Sequence, residues 1–134
     1  MRRVAACTAL LAVSVLLVSC GSMPTPFQKS PGDVVKAFYR AANEGRYSEA
    51  EQMMSEDAKA FLKGELGQLA GGFKGIVDKM TKNGTIVSVD IEREQIRGEG
   101  ATVTGKVSYK DGSSEEKGES LIKENGSWKL TVGK

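Results

Sequence analysis

The sequence predicts an α+β fold in which N-terminal helices pack on a curved, four-stranded antiparallel sheet. Three observations predict it. Apolar residues recur at helical spacing up to Met80, they alternate with polar residues from Thr85 onward, and hairpin-turn residues divide the alternating stretches. The length of 134 residues fits one domain and is too short for two.

The first helix is predicted from its capping residues. Ser30 is a typical N-cap, Pro31 suits the first helical position, and Asp33 favours the positive end of the helix dipole. We expect this helix to end near Gly45. Ser48 then begins a capping-box pattern that predicts a short second helix.

A longer helical stretch follows, and its apolar residues form one stripe. They are Phe61, Leu62, Leu66 and Leu69. We expect this stretch to break at Gly71 and Gly72, before a last amphipathic segment over residues 73–80.

Three glycine-containing turns divide the remaining chain into four strands. The turns are at residues 98–100, 111–112 and 125–126. A three-residue loop at the first turn predicts Glu92 opposite Lys106, and a two-residue loop at the last predicts Leu121 opposite Leu130. The middle turn is expected to be longer than two residues or to contain a bulge.

Composition narrows the possible functions. The chain has no histidine, which excludes a Ser-His or Cys-His nucleophile and a histidine-ligated metal. Its 19 basic and 17 acidic residues give a net charge of only +2, so nucleic-acid binding is not predicted. No motif indicates a cofactor or a metal site.

The first residues are typical of a secretory signal. Two arginines precede about fifteen apolar residues, 4–18, fewer than the roughly 20 that span a bilayer. The Leu-Val-Ser-Cys sequence at residues 17–20 resembles a bacterial lipobox. The resemblance implies cleavage between Ser19 and Cys20 and a diacylglyceryl group on the Cys20 thiol. An ordinary signal peptide or an uncleaved anchor is the alternative.

These features predict three regions: a signal peptide at 1–19, a lipidated tether at 20–30 and a folded domain at 31–134. Removal of the signal peptide leaves 17 basic and 17 acidic residues. In lipoproteins an aspartate after the lipidated cysteine commonly retains the protein in the inner membrane. Gly21 stands there instead, so we expect an outer-membrane anchor facing the periplasm.

Three segments resemble nuclear-transport-factor-2-like domains. They are Val-Val-Lys-Ala-Phe-Tyr at 34–39, Asn-Glu-Gly-Arg-Tyr-Ser-Glu-Ala at 43–50 and Asn-Gly-Ser-Trp-Lys-Leu at 125–130. The resemblance implies a cone in which the curved sheet wraps the first helix, often around a pocket. It implies shape more than activity, because this fold carries many functions.

Six aromatic residues are candidates for lining such a pocket. They are Phe38, Tyr39, Phe61, Phe73, Tyr109 and Trp128. The same spacings also fit a simple core. The inward stripe of the strands is predicted to be apolar and without a carboxylate, which argues against catalysis, whereas a polar group buried beside Tyr39 would favour it.

Two further patterns leave alternatives open. Asp90, Glu92 and Glu94 are predicted to share one strand face, which suits either calcium or, more simply, a solvated surface. The glycine-rich segment from Gly64 to Gly75 either packs closely against the sheet or moves as a lid over the mouth of the cone.

The sequence therefore predicts a lipid-anchored envelope protein that is not an enzyme. It would act as a binding or accessory module for a protein partner or a small apolar ligand. The alternatives are a small cone-pocket enzyme of isomerase, dehydratase or hydrolase type and a structural subunit of an envelope complex.

Overall fold

The predicted order of helices before strands is confirmed. The computed structural model describes residues 29–132, so the predictions for the signal peptide, Ser19 and Cys20 fall outside the described residues. The helices are α1 (Pro31–Asn43), α2 (Tyr47–Gln52), α3 (Glu56–Lys63), α4 (Glu65–Leu69) and α5 (Gly72–Met80), and the strands are β1 (Ile86–Arg97), β2 (Gly100–Tyr109), β3 (Ser114–Glu124) and β4 (Ser127–Thr131). The strands form one antiparallel sheet in the order β1-β2-β3-β4.

Helix α1 begins where its capping residues predict. The Ser30 hydroxyl accepts a hydrogen bond from the Asp33 backbone N–H at 3.2 Å, and the Asp33 carboxylate accepts one from the Ser30 N–H at 3.3 Å. The helix packs against β1, β2 and β4. Its buried face places Phe38 and Tyr39 in the core between helix and sheet.

The start of α2 differs from the prediction. Arg46 is its N-cap residue and makes no side-chain capping bond, so Ser48 lies inside the helix. Helix α5 agrees with the prediction, since Val77 is buried and Phe73, Ile76 and Met80 pack beside the core.

The predicted apolar stripe along α3 and α4 is wrong. Gly64 has an extended backbone, with φ −73° and ψ 176°, and it separates the two helices. As a result Leu62 alone of the four stripe residues is buried, while Phe61, Leu66 and Leu69 are exposed. A β-carbon on Gly67 would collide with the Leu62 carbonyl, so the glycine-rich segment packs closely against α3 rather than against the sheet.

The register of β1 and β2 also differs from the prediction. Arg97 pairs with Gly100, so the turn between them has two residues rather than three. A bulge at Glu92 then shifts the pairing, and Lys106 lies opposite Asp90 instead of Glu92. Bulges depend on contacts across the whole ladder, which is why the turn residues alone did not predict this one.

The other two turns agree with the predictions. Leu121 pairs with Leu130 across a two-residue Asn-Gly turn. The turn between β2 and β3 is longer than two residues and places Val107 opposite Glu115. No helix in residues 29–132 is long and apolar enough to cross a membrane.

Candidate binding site on the inner face of the sheet

Charged side chains line the inner face of β3. Glu115 lies opposite Val107 and Glu119 lies opposite Val103, and both valines are buried under the helices. Directly opposed residues of antiparallel strands point to the same side of the sheet. Both carboxylates therefore face inward, and the prediction of an inward stripe without a carboxylate is wrong.

Glu119, which is partly buried, pairs with the buried Tyr39. The Tyr39 hydroxyl donates a hydrogen bond to the Glu119 carboxylate at 2.5 Å. Tyr39 has no exposed surface, and its ring meets Phe38 edge-on with 5.7 Å between the ring centres. The polar group that would favour catalysis is therefore present beside Tyr39.

Burial is the largest influence on both members of this pair. It raises the pKa of the Tyr39 hydroxyl, and the neighbouring Glu119 carboxylate raises it further. Burial also raises the pKa of the Glu119 carboxyl, while the hydrogen bond from Tyr39 and the charge of Lys117 oppose that rise. A carboxyl in such surroundings keeps its proton to a higher pH than an exposed one.

A second group of polar side chains lies towards the open end of the same face. The Glu115 carboxylate is 2.6 Å from the Lys117 ammonium and 3.0 Å from the Lys82 ammonium. The Tyr109 hydroxyl donates to Glu115 at 3.3 Å, and the Lys82 ammonium lies 3.9 Å from the centre of the Tyr109 ring. The two lysines lower the pKa of Glu115 to about 2, so this carboxylate is ionised throughout the neutral range.

The pKa values of the two carboxyl groups on β3 are therefore shifted in opposite directions. Partial burial beside Tyr39 inclines Glu119 to hold a proton, whereas Lys82 and Lys117 hold Glu115 as an anion. Concave surfaces that collect polar groups with shifted pKa values are candidates for ligand binding or acid–base chemistry. We call these six residues the β3 cluster. They are Tyr39, Lys82, Tyr109, Glu115, Lys117 and Glu119.

A depression on the other side of α1 also reaches Tyr39. It lies between α1 and the start of β1, and its volume is about 380 Å³. Lys36, Arg40, Asn43 and Ser88 contribute to its lining. A molecule held there would contact mainly polar and charged groups.

The structure divides the six predicted pocket residues. Phe38, Tyr39, Tyr109 and Trp128 are buried, Phe73 packs beside the core, and Phe61 is exposed. Of these six residues, only Tyr39 and Tyr109 belong to the β3 cluster. Sequence reasoning missed its other four members, although counting back from inward-facing Leu121 in steps of two would have found those on β3.

The bulge at Glu92 separates the three acidic residues proposed as a calcium alternative. Asp90 is opposite Lys106 on the outer face, whereas Glu94 is opposite buried Val103 and so faces inward. They do not share a face, so that prediction is wrong. Over residues 29–132 no group of three or more acidic, cysteine or histidine side chains is placed to hold a metal ion.

Glu94 instead contacts the start of α1. Its carboxylate accepts hydrogen bonds from the Gly32 N–H at 2.5 Å and from the Ser30 hydroxyl at 3.2 Å. A carboxylate at this position satisfies a free N–H of the first helical turn and favours the positive end of the helix dipole. Glu94 therefore has a structural role.

The model of one protein family, described as a domain of unknown function (DUF4878), matches residues 18–131. The chain belongs to the DUF4878 family. No curated protein matches this DUF4878 chain in sequence.

Solved structures show the fold of this DUF4878 protein. A Campylobacter jejuni protein with the provisional description "NTF2-like transpeptidase" superimposes with a TM-score of 0.61 at 14% identity, covering 78% of this chain and 100% of that one. A SEC-C motif-containing protein from Rhodopseudomonas palustris gives a TM-score of 0.53 at 11% identity, covering 78% and 77%. The fold is the NTF2-like, or nuclear-transport-factor-2-like, cone that the sequence resembles, and the likeness extends to fold alone.

Proposed function

We propose that this DUF4878 protein is a lipid-anchored envelope module that binds an extended segment of a partner protein without catalysing a reaction. One observation supports this proposal above the others. Strand β4 pairs with β3 only from Ser120 to Glu124. Within the described chain, residues 114–119 of β3 therefore have β2 as their sole neighbouring strand, and no strand pairs with their second backbone edge.

An open backbone edge suits an extended polypeptide. Its N–H and C=O groups can pair with an added strand, while pockets for alternate side chains select the sequence. Glu115, Lys117 and Glu119 alternate along the inner face and supply such contacts. Glu115 is already paired with Lys82 and Lys117. Exposed Glu116 is the acidic side chain of this segment that a basic side chain of the partner strand can contact.

A small apolar ligand receives less support than a protein partner. Phe38, Val103 and Leu121 fill the space between α1 and the sheet, each with at most 2% of its surface exposed. Ile96 and Val89 leave some apolar surface accessible on the inner face of β1. The accessible groups on the inner face of β3, beside its open edge, are charged. This surface matches the hydrogen-bonding groups of a peptide better than it matches a hydrocarbon.

Site-specific crosslinking tests the partner proposal. A photoreactive amino acid at Glu116, on the open edge, should give a discrete protein adduct in the intact envelope. Thr102 is the control, because it is exposed on the same face of β2 but lies opposite Ser120, where β4 already pairs with β3. Adducts of equal strength from both positions, or none from Glu116, would contradict the proposal.

The lipid anchor needs a separate test. Cys20→Ala should abolish incorporation of labelled palmitate and move the protein out of the membrane fraction, because the Cys20 thiol is the proposed acceptor. Cys7→Ala is the control, since residue 7 lies within the proposed signal peptide, and labelling should persist. Continued labelling of the Cys20→Ala protein would refute the anchor.

Acid–base catalysis is a second candidate, favoured by the Tyr39–Glu119 pair. A small isomerase, dehydratase or hydrolase needs a group that exchanges a proton near neutral pH and a donor that stabilises developing charge. Glu119 and Tyr39 are of the right chemical types and lie in contact. The pKa of Glu119 discriminates between the candidates, because a carboxyl that titrates in the ordinary acidic range cannot act as a general acid at pH 7.

A further inference from the structure

Three large apolar side chains lie exposed on neighbouring helices. Phe61 on α3 is 45% exposed, and Leu66 and Leu69 on α4 are 67% and 84% exposed. We call these three residues the α3–α4 surface. Helix α4 packs against α3 and α5, and the exposure of the three side chains rises along the chain to Leu69. Several large apolar groups within nine residues of sequence mark an interaction surface more strongly than scattered ones do.

The sequence around this surface carries little charge. From residue 60 to residue 75 the charged residues are Lys63, Glu65 and Lys74. Few charged groups would lose water if the α3–α4 surface moved into a membrane interface, so the desolvation free energy of the transfer is low.

The two lysines of this segment outnumber its single acid. Lys63 lies 3.7 Å from Glu51 and Lys74 lies 2.6 Å from Asp78, and both ammonium groups are well exposed. Exposed ion pairs of this kind contribute little in water. Each ammonium group has three donors, so it can also bind an anionic phosphate while its alkyl chain lies along the apolar surface.

The proposed tether is long enough for faces other than the one that carries Ser30 to reach the bilayer. Ser30 lies ten residues after Cys20, and an extended chain of that length spans about 33–36 Å. A domain of about 100 residues has a radius of gyration of about 13 Å and therefore a diameter of about 33 Å. The chemistry of the domain surface therefore decides which of these faces contacts the bilayer.

We propose that the α3–α4 surface docks on the lipid bilayer, with Phe61, Leu66 and Leu69 at the boundary between headgroups and acyl chains. Lys63 and Lys74 then contact anionic headgroups. This docking rests on the proposed lipid anchor, which would hold the domain close to the bilayer. A short tether supplies an effective concentration in the millimolar range, so weak contacts between the α3–α4 surface and the lipid are sufficient.

Vesicle sedimentation tests this docking without the anchor. The mature chain from residue 20, carrying Cys20→Ser, is mixed with vesicles of phosphatidylethanolamine and phosphatidylglycerol in a 7:3 ratio at about 5 mM lipid, within the range that a tether provides. The protein should sediment with these vesicles. The double variant Leu66→Ser/Leu69→Ser should lower the partition coefficient at least about tenfold, since each leucine loses apolar contact with lipid.

The matched control is Val87→Ser/Ile96→Ser. These residues are 65% and 56% exposed on β1, so they test apolar exposure elsewhere on the molecule, and partitioning should stay within about twofold. Replacing phosphatidylglycerol by phosphatidylcholine should weaken binding through the lysines. Circular dichroism confirms that each variant is folded.

Several results would overturn the docking proposal. They are the absence of sedimentation with vesicles, equal losses in both double variants, and a dimer that the Leu66→Ser/Leu69→Ser variant abolishes. The last result would assign the surface to a second copy of the chain. Because Cys20 is replaced in every sample, failure of the palmitate test leaves this measurement unaffected, and the two proposals fail separately.

Discussion

Phe38→Ala is expected to lower the free energy of unfolding by about 3–5 kcal/mol. The Phe38 ring is 2% exposed and packs edge-on against Tyr39 between α1 and the sheet. Removing it leaves a cavity that the surrounding helix and strands cannot fill without losing their own contacts. Urea unfolding followed by circular dichroism measures the loss.

Phe61→Ala is the matched control for this experiment. Both phenylalanines are pocket candidates in the sequence, but Phe61 is 45% exposed and lies on the α3–α4 surface. Its replacement should change the free energy of unfolding by less than about 1 kcal/mol. Similar losses in the two variants would mean that Phe61 is packed as tightly as Phe38, contrary to the structure.

Glu119→Ala is expected to destabilise the fold by about 1–3 kcal/mol, because it leaves the buried Tyr39 hydroxyl without its acceptor. Glu119→Gln keeps a carbonyl oxygen at this position and should cost much less at acidic pH. Comparing the two by urea unfolding separates loss of the hydrogen bond from loss of the charge. Equal costs would show that Tyr39 does not depend on an acceptor at residue 119.

The same pair predicts a pH dependence with a definite sign. Burial raises the pKa of Glu119 in the folded protein, so the folded state holds a proton that the unfolded chain releases. The contribution of Glu119 to stability is therefore greatest below its unfolded pKa, about 4.3, and is lost as pH rises through the folded pKa. Glu119→Gln has no such proton, so its stability should rise relative to the parent between pH 4 and pH 8.

NMR titration of the Glu119 carboxyl completes this experiment. Tyr39→Phe should raise the Glu119 pKa further, because the hydrogen bond from Tyr39 favours the ionised form. A parent pKa near 7 supports the catalytic candidate. A value at or below that of an exposed glutamate, with parallel stability profiles for the parent and Glu119→Gln, contradicts the burial argument and excludes Glu119 as a general acid at pH 7.

Local signals made parts of this fold predictable. Ser30 and Asp33 satisfy the first turn of α1 by themselves, and the Asn-Gly turn alone determines that Leu121 meets Leu130. Two of the segments that resemble the NTF2-like fold, residues 34–39 and 125–130, lie in these regions. In each case the decisive contacts lie within a few residues of one another.

The misplaced elements depend on contacts between distant residues. Gly64 is compatible with a continuous helix, and only the packing of α4 against α3 shows that it ends one. Residues 114–120 of β3 contain no apolar residue at either alternate position, so this stretch does not itself mark its inward face, which has to be counted back from Leu121. Glu119 was missed for this reason, and with it the β3 cluster.

The contact between Glu94 and α1 has a mechanical consequence for a tethered protein. A β-carbon at Gly32 would collide with the Glu94 carboxylate, so glycine permits the carboxylate to reach the backbone of the first turn. In the proposed anchored protein, tension along the tether would enter the domain at Ser30, whose hydroxyl is part of this contact. Glu94 passes part of that tension to β1, so the ladder between β1 and β2 shares the load that would otherwise peel α1 from the sheet.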